Sequence, residues 1–96
     1  MNNIRLVSAS RQAIKPLLEA AMENELRLME AGIRQTEQKL LHFEKKYRMN
    51  TAEFVSAYKD DKFGETMEYI EWMGESKMLE RLLEKSEALR GIRFEN

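Results

Sequence analysis

Residues 22–47 read MENELRLMEAGIRQTEQKLLHFEKKY, and within them Met22, Leu26, Met29, Ile33, Thr36, Leu40, Phe43 and Tyr47 follow at steps of 4, 3, 4, 3, 4, 3 and 4. That period puts all eight on one stripe of an α-helix and describes a helix laid lengthwise on another. Thr36 is the one polar member; it either sets register or is merely tolerated. At 1.5 Å per residue a helix over Pro16 to Tyr47 would run roughly 45 Å, whereas a compact chain of this length has a radius of gyration of about 13 Å. The molecule is therefore expected to be elongated, dimeric or both. Met22, Leu26, Met29, Ile33, Leu40, Phe43 and Tyr47 are the expected self-association seam.

Upstream of the seam, Pro16 can open the helix, because a first turn has no use for its missing N–H. Alternatively Ser8 or Ser10 caps an earlier start and Pro16 bends the helix. Residues 1–15 are otherwise read as an arm. Downstream, Asn50 with Glu53 three residues on has capping-box spacing and predicts a short helix over 51–59. The run Lys59-Asp60-Asp61-Lys62-Phe63-Gly64 reads as a loop, with Gly64 available for a positive φ. A last helix is predicted over 65–90, stopped by Gly91. Its broad apolar face holds Tyr69, Trp72, Met73, Leu79, Leu82, Leu83 and Leu89, flanked by Met67, Ile70 and Met78. Gly74, Ser76 and Ser86 interrupt that face; Gly74 there either marks close helix approach or is a neutral accident. Ile92 and Phe94 are placed to fold back over the helix end. The expected fold is thus all-α: a single-domain, elongated hairpin of two long helices joined by a short one, assembling as a helical dimer.

Composition agrees. Hydrophobic residues make up 43% and charged residues 34% of the 96, with four Gly and one Pro, a mixture that favours long helices. A chain this short leaves much of its surface wet and gains from a partner. It has no Cys, which excludes disulfides and thiolate metal sites. The N-terminal stretch lacks the apolar core of a secretion signal, and no apolar run approaches the roughly 20 residues of a membrane span. The expected location is cytoplasmic, with no membrane partner.

The net charge of -1 argues against nucleic acid as the main partner, since such binding draws on clustered cations. Charge is nonetheless uneven. Residues 1–16 carry Arg5, Arg11 and Lys15 without an acid, whereas residues 60–75 carry Asp60, Asp61, Glu65, Glu68, Glu71 and Glu75 against Lys62 alone. The acids can steer a basic partner, or can simply favour a helix start.

No reaction centre can be assembled. His42 has no partners for base or metal chemistry and reads as a boundary histidine. Glu68, Glu71 and Glu75 share a helix face, but the Glu-x-x-His of a di-metal bundle is missing. There is no activated Ser or Thr, no phosphate loop and no basic recognition helix. Arg34, Lys39, Lys45, Lys46 and Arg48 alternate with Glu37 and Glu44, as on a salt-bridged solvent face. No enzyme activity, cofactor, metal or small-molecule substrate is expected.

What stands out is the stretch from Phe43 to Trp72, which holds every Phe, Tyr and Trp of the chain except Phe94. Aromatics and Met are enriched at interface centres and in cores alike. Phe54, Tyr58, Phe63, Tyr69 and Trp72 are expected as partner anchors, with Asp60, Asp61, Glu68 and Glu71 steering.

Within this stretch, Phe43-Glu44-Lys45-Lys46-Tyr47, Met49, Glu53-Phe54, Gly64-Glu65, Glu71-Trp72 and Met78-Leu79-Glu80-Arg81-Leu82 resemble small all-helical proteins of prokaryotes. Those proteins are the antitoxin-like partners in two-gene toxin-antitoxin modules. The likeness covers roughly residues 43–90. It departs from the family pattern at Arg48, where a Gly follows the Lys-Tyr pair, and at Tyr69, where an Asp precedes the Glu-Trp pair. The first departure leaves the chain reversal less sharply specified. The resemblance implies a protein that binds and silences a cognate toxin, an RNA-directed or nucleotidyltransferase-like enzyme, by burying an extended surface. Two other readings stand beside it: a structural coiled-coil adaptor acting by self-association, and, last, a nucleic-acid-binding regulator using the basic N-terminal arm.

Overall fold

Helix α1 spans Arg11–Tyr47, α2 spans Thr51–Lys59 and α3 spans Met67–Arg90 in the computed structural model, which describes residues 3–4 and 11–94. Two-residue strands, β1 (Asn3–Ile4) and β2 (Arg93–Phe94), pair in parallel and bring the two ends of the chain together. The radius of gyration is 18.8 Å and the extents are 58 × 22 × 18 Å. A compact chain of this length would have a radius of about 12.5 Å. The molecule is an elongated all-α hairpin, as its sequence period predicts.

Helix α1 begins five residues before Pro16, so Arg11 and Lys15 belong to the helix and not to an arm. Near a helix start Pro forfeits a single backbone bond. The possible caps Ser8 and Ser10 lie outside the described residues. Helix α2 is capped as expected, the Asn50 side chain accepting from the Glu53 N–H at 2.8 Å. Helix α3 starts two residues later than the acidic run implies, because Thr66 is its cap and accepts from the Tyr69 N–H at 3.1 Å.

Neither reversal uses a glycine. Arg48 (φ 52) and Asp61 (φ 58) take the left-handed conformation, and no Gly does, which corrects the expectation for Gly64. Around Arg48 the Met49 N–H reaches the Glu44 carbonyl at 3.2 Å, and around Asp61 the Lys62 N–H reaches the Ala57 carbonyl at 3.1 Å. Both are six-residue closures of a helix C-terminus, the place where Gly is usual. Asp tolerates this region better than Arg, whose Cβ is strained there. Arg48→Gly is therefore expected to stabilise the chain by about 0.5–1 kcal/mol, read as a higher denaturant midpoint.

Helix α3 returns antiparallel along α1. Lys46 meets Glu68 at 2.7 Å, Lys39 meets Glu75 at 3.8 Å and Arg90 meets Glu30 at 3.4 Å. Exposed pairs of this kind contribute little to stability, so their use is register more than stability. All eight seam residues of α1 are buried or half-buried within the one chain, Thr36, Leu40 and Phe43 most completely. The seam expected to join two copies is thus occupied by α3. Ser86 is also buried and donates to the Leu83 carbonyl at 3.1 Å. The close approach is at Gly32, where an added Cβ would lie 3.4 Å from the Leu82 methyl; at Gly74 it would meet nothing within 4 Å. Gly74 lies on the outside, so close packing within this chain does not explain it.

Candidate functional site

The corner between α1, α2 and α3 is built around Trp72, which is 0% exposed, and Phe54, which is 1% exposed. Their rings stack with centroids 3.8 Å apart and an interplanar angle of 2°. Phe43 and Tyr47 from α1 lie nearly parallel to the indole at 5.6 Å each. Phe63 from the loop and Tyr69 from α3 close on Phe54 at 5.8 and 5.7 Å. Helix α2 is short enough to need such docking, and Phe54 supplies it.

A polar relay seals this cluster. The Trp72 indole Nε1–H donates to Thr51 Oγ1 at 3.0 Å, Thr51 Oγ1 donates to Glu44 Oε2 at 2.9 Å, and the Thr51 backbone N–H reaches the same oxygen at 2.7 Å. One carboxylate from the end of α1 thereby satisfies the indole through a hydroxyl and also holds the first residue of α2. A carboxylate at a helix N-terminus is further favoured by the dipole.

On the outer edge of the corner Glu68 accepts from Lys46 and from the Tyr47 hydroxyl. The Lys46 ammonium, then the Tyr47 hydroxyl, hold the Glu68 carboxyl below its usual range. The bond to Glu68 raises both Lys46 and Tyr47. Glu68 is thus tied within the chain and is less available for steering.

The expected anchors separate into two groups. Phe54 and Trp72 are interior, where no partner can touch them without opening the corner. Tyr58, Phe63 and Tyr69 are half-buried, and Asp60, Asp61 and Glu71 are exposed. These six form the accessible part of the corner. His42 is exposed, with its ring edge-on to Phe43.

The larger accessible apolar area lies elsewhere. Leu17 (69%), Leu28 (60%) and Leu41 on α1, and Met67 (81%), Ile70, Met78 and Leu83 on α3, are exposed. On α1 the residues Leu17, Ala21, Asn24, Leu28, Ala31, Gln35, Gln38 and His42 are all exposed and recur at steps of 4, 3, 4, 3, 4, 3 and 4. This is a second heptad line, free of Lys, Arg, Asp and Glu; toward the corner its Gln35, Gln38 and His42 border a groove shared with Glu71 of α3. Its signal is the absence of such charges in a highly charged helix; hydrophobicity hides it because Asn and Gln stand among the apolar members. At the open end of the hairpin a shallow cleft of about 480 Å³ has Met22, Leu26, Leu89 and Ile92 in its walls and Lys15, Glu19, Glu23 and Arg90 around it. Ile92 does pack near the end of α3, whereas the Phe94 side chain lies outside the described residues.

Among the described residues no group of three or more His, Asp or Glu could hold a metal ion, and no helix is long and apolar enough to cross a membrane. No family model, no curated protein and no solved structure matches the chain.

Proposed function

We propose that the chain is an antitoxin-like protein-binding module, which neutralises a cognate toxin by covering it along the length of the hairpin. The carrying observation is surface in excess of need. The chain exposes 7404 Å², whereas a compact monomer of 11.4 kDa exposes about 5,800 Å². A rod with seven large apolar side chains exposed among its described residues gains by being covered. The contacts assigned to the toxin are Leu17 and Leu28 on the uncharged line of α1, with Tyr58, Phe63 and Tyr69 at the corner. Asp60 and Asp61 speed the approach of a basic surface. The resemblance over residues 43–90 supplies the class of partner.

Co-expression with the product of the adjacent reading frame, followed by affinity capture, tests the proposal. A stable complex is expected. Leu17→Lys with Leu28→Lys should weaken it at least about tenfold, since apolar anchors dominate binding energy, while leaving thermal unfolding within about 0.5 kcal/mol, as exposed positions do. No complex, or one indifferent to both changes, defeats the assignment.

A structural adaptor acting by self-association is the second reading. It is favoured by the enclosure of Phe54 and Trp72 within one chain, which leaves the corner the task of closing the hairpin.

A further inference from the structure

The outward side of α3 is divided along its length. Its N-terminal half exposes Met67 (81%) and Ile70 (48%) together with Glu71 and Gly74. Its C-terminal half exposes Met78 (46%), Arg81, Lys85 and Ala88. Helical spacing sets these residues away from Trp72 and Leu79, which face α1. None of the ion pairs between described side chains uses Glu71, Arg81 or Lys85. Gly74 weakens the helix at its centre, yet a Cβ there would meet nothing within 4 Å. Packing within the chain gives no reason for a glycine; a second helix lying close would.

We infer that this face docks a second copy of the chain, antiparallel, about a two-fold axis passing near Met78. In that register Met67 lies against Ala88 of the second copy, Gly74 lies beneath the aliphatic stem of Arg81 of the second copy, and Glu71 stands beside Lys85 of the second copy. Two-fold symmetry makes every such contact twice. Charge favours this orientation: a parallel pairing would set Glu71, Arg81 and Lys85 each beside its own copy, whereas the antiparallel one sets Glu71 beside Lys85 twice, with the Lys77 of each copy flanking the axis. The occupant is a second copy because Glu71 and Lys85, both exposed on this face, answer each other across the axis. The seam of α1 is unavailable for this purpose, being filled by α3. The docking is independent of any toxin, which is assigned to other residues.

Sedimentation equilibrium of the full chain over a dilution series tests the inference. The wild type is expected at twice 11.4 kDa. Glu71→Lys and Lys85→Glu should each raise the dimer dissociation constant about tenfold or more, and the double swap should restore it to within about threefold, because each single change creates two like-charge contacts. Gly74→Leu should yield a monomer whose helix content is equal to or above that of the wild type, since its own fold leaves room for the side chain. A wild type that stays monomeric up to about 100 μM, or a dimer indifferent to all three single changes, overturns the inference.

Discussion

Trp72→Ala is expected to destabilise the chain by about 3–5 kcal/mol, the cost of truncating a large buried aromatic and leaving a cavity. A domain of this size has only about 5–15 kcal/mol in total, and among the described residues the buried apolar core is Leu40, Phe43, Phe54 and Trp72. Removing one of four such members takes away the surface on which Phe54 stacks, and α2 loses its anchorage with it. At about 4–8 °C per kcal/mol for a small domain, the melting temperature should fall by more than about 12 °C. Far-ultraviolet circular dichroism on heating reads this directly. A fall under about 4 °C, roughly 1 kcal/mol, would mean that the corner is not the structural centre. Trp72→Phe should cost much less, because it keeps a ring against Phe54 and loses chiefly the indole N–H.

Thr51→Val is expected to cost about 1–3 kcal/mol, through an indole N–H left without its acceptor and a carboxylate left without one of its donors. The substitution nearly preserves volume, so the loss reports hydrogen bonding and not packing. Thr51→Ser, which keeps the hydroxyl between Trp72 and Glu44, should recover most of it. Urea unfolding of the three proteins gives the comparison; the midpoint should move while the slope stays the same, since the area exposed on unfolding is unchanged. Equal stability of the Val and Ser variants would remove the relay from the account.

Much of the architecture is legible in the order of residues because its causes are local. The stripe from Met22 to Tyr47 gives α1 and its inward face, and Asn50 with Glu53 gives the start of α2. What cannot be read there is nonlocal. A heptad stripe has the same form whether its partner is a second copy or the other arm of the same hairpin, and only the reversal through α2 decides for α3. The aromatic cluster is ambiguous for the same reason: Trp72 and Phe54 are far apart in the chain, and their enclosure depends on three helices meeting. The left-handed residues are hidden by a different cause. Arg48 and Asp61 adopt a conformation that composition assigns to Gly64, because closing each helix with a six-residue bond fixes the position by register and not by residue type. The accessible faces are the least legible, since Gln, Asn and Ala along α1 carry little hydropathy and Gly74 gains meaning only once its surroundings are known to be empty.

The hairpin resembles a clothes peg. At one end interlocked rings and a shared carboxylate grip both arms, and at the other a shallow cleft lies beside Met22 and Leu89, with the β1–β2 pair beyond it among the described residues. Thermal breathing should therefore begin at the cleft end and stop before the hinge, so a guest wedged between Leu26 and Leu89 could spread the arms without disturbing the spring.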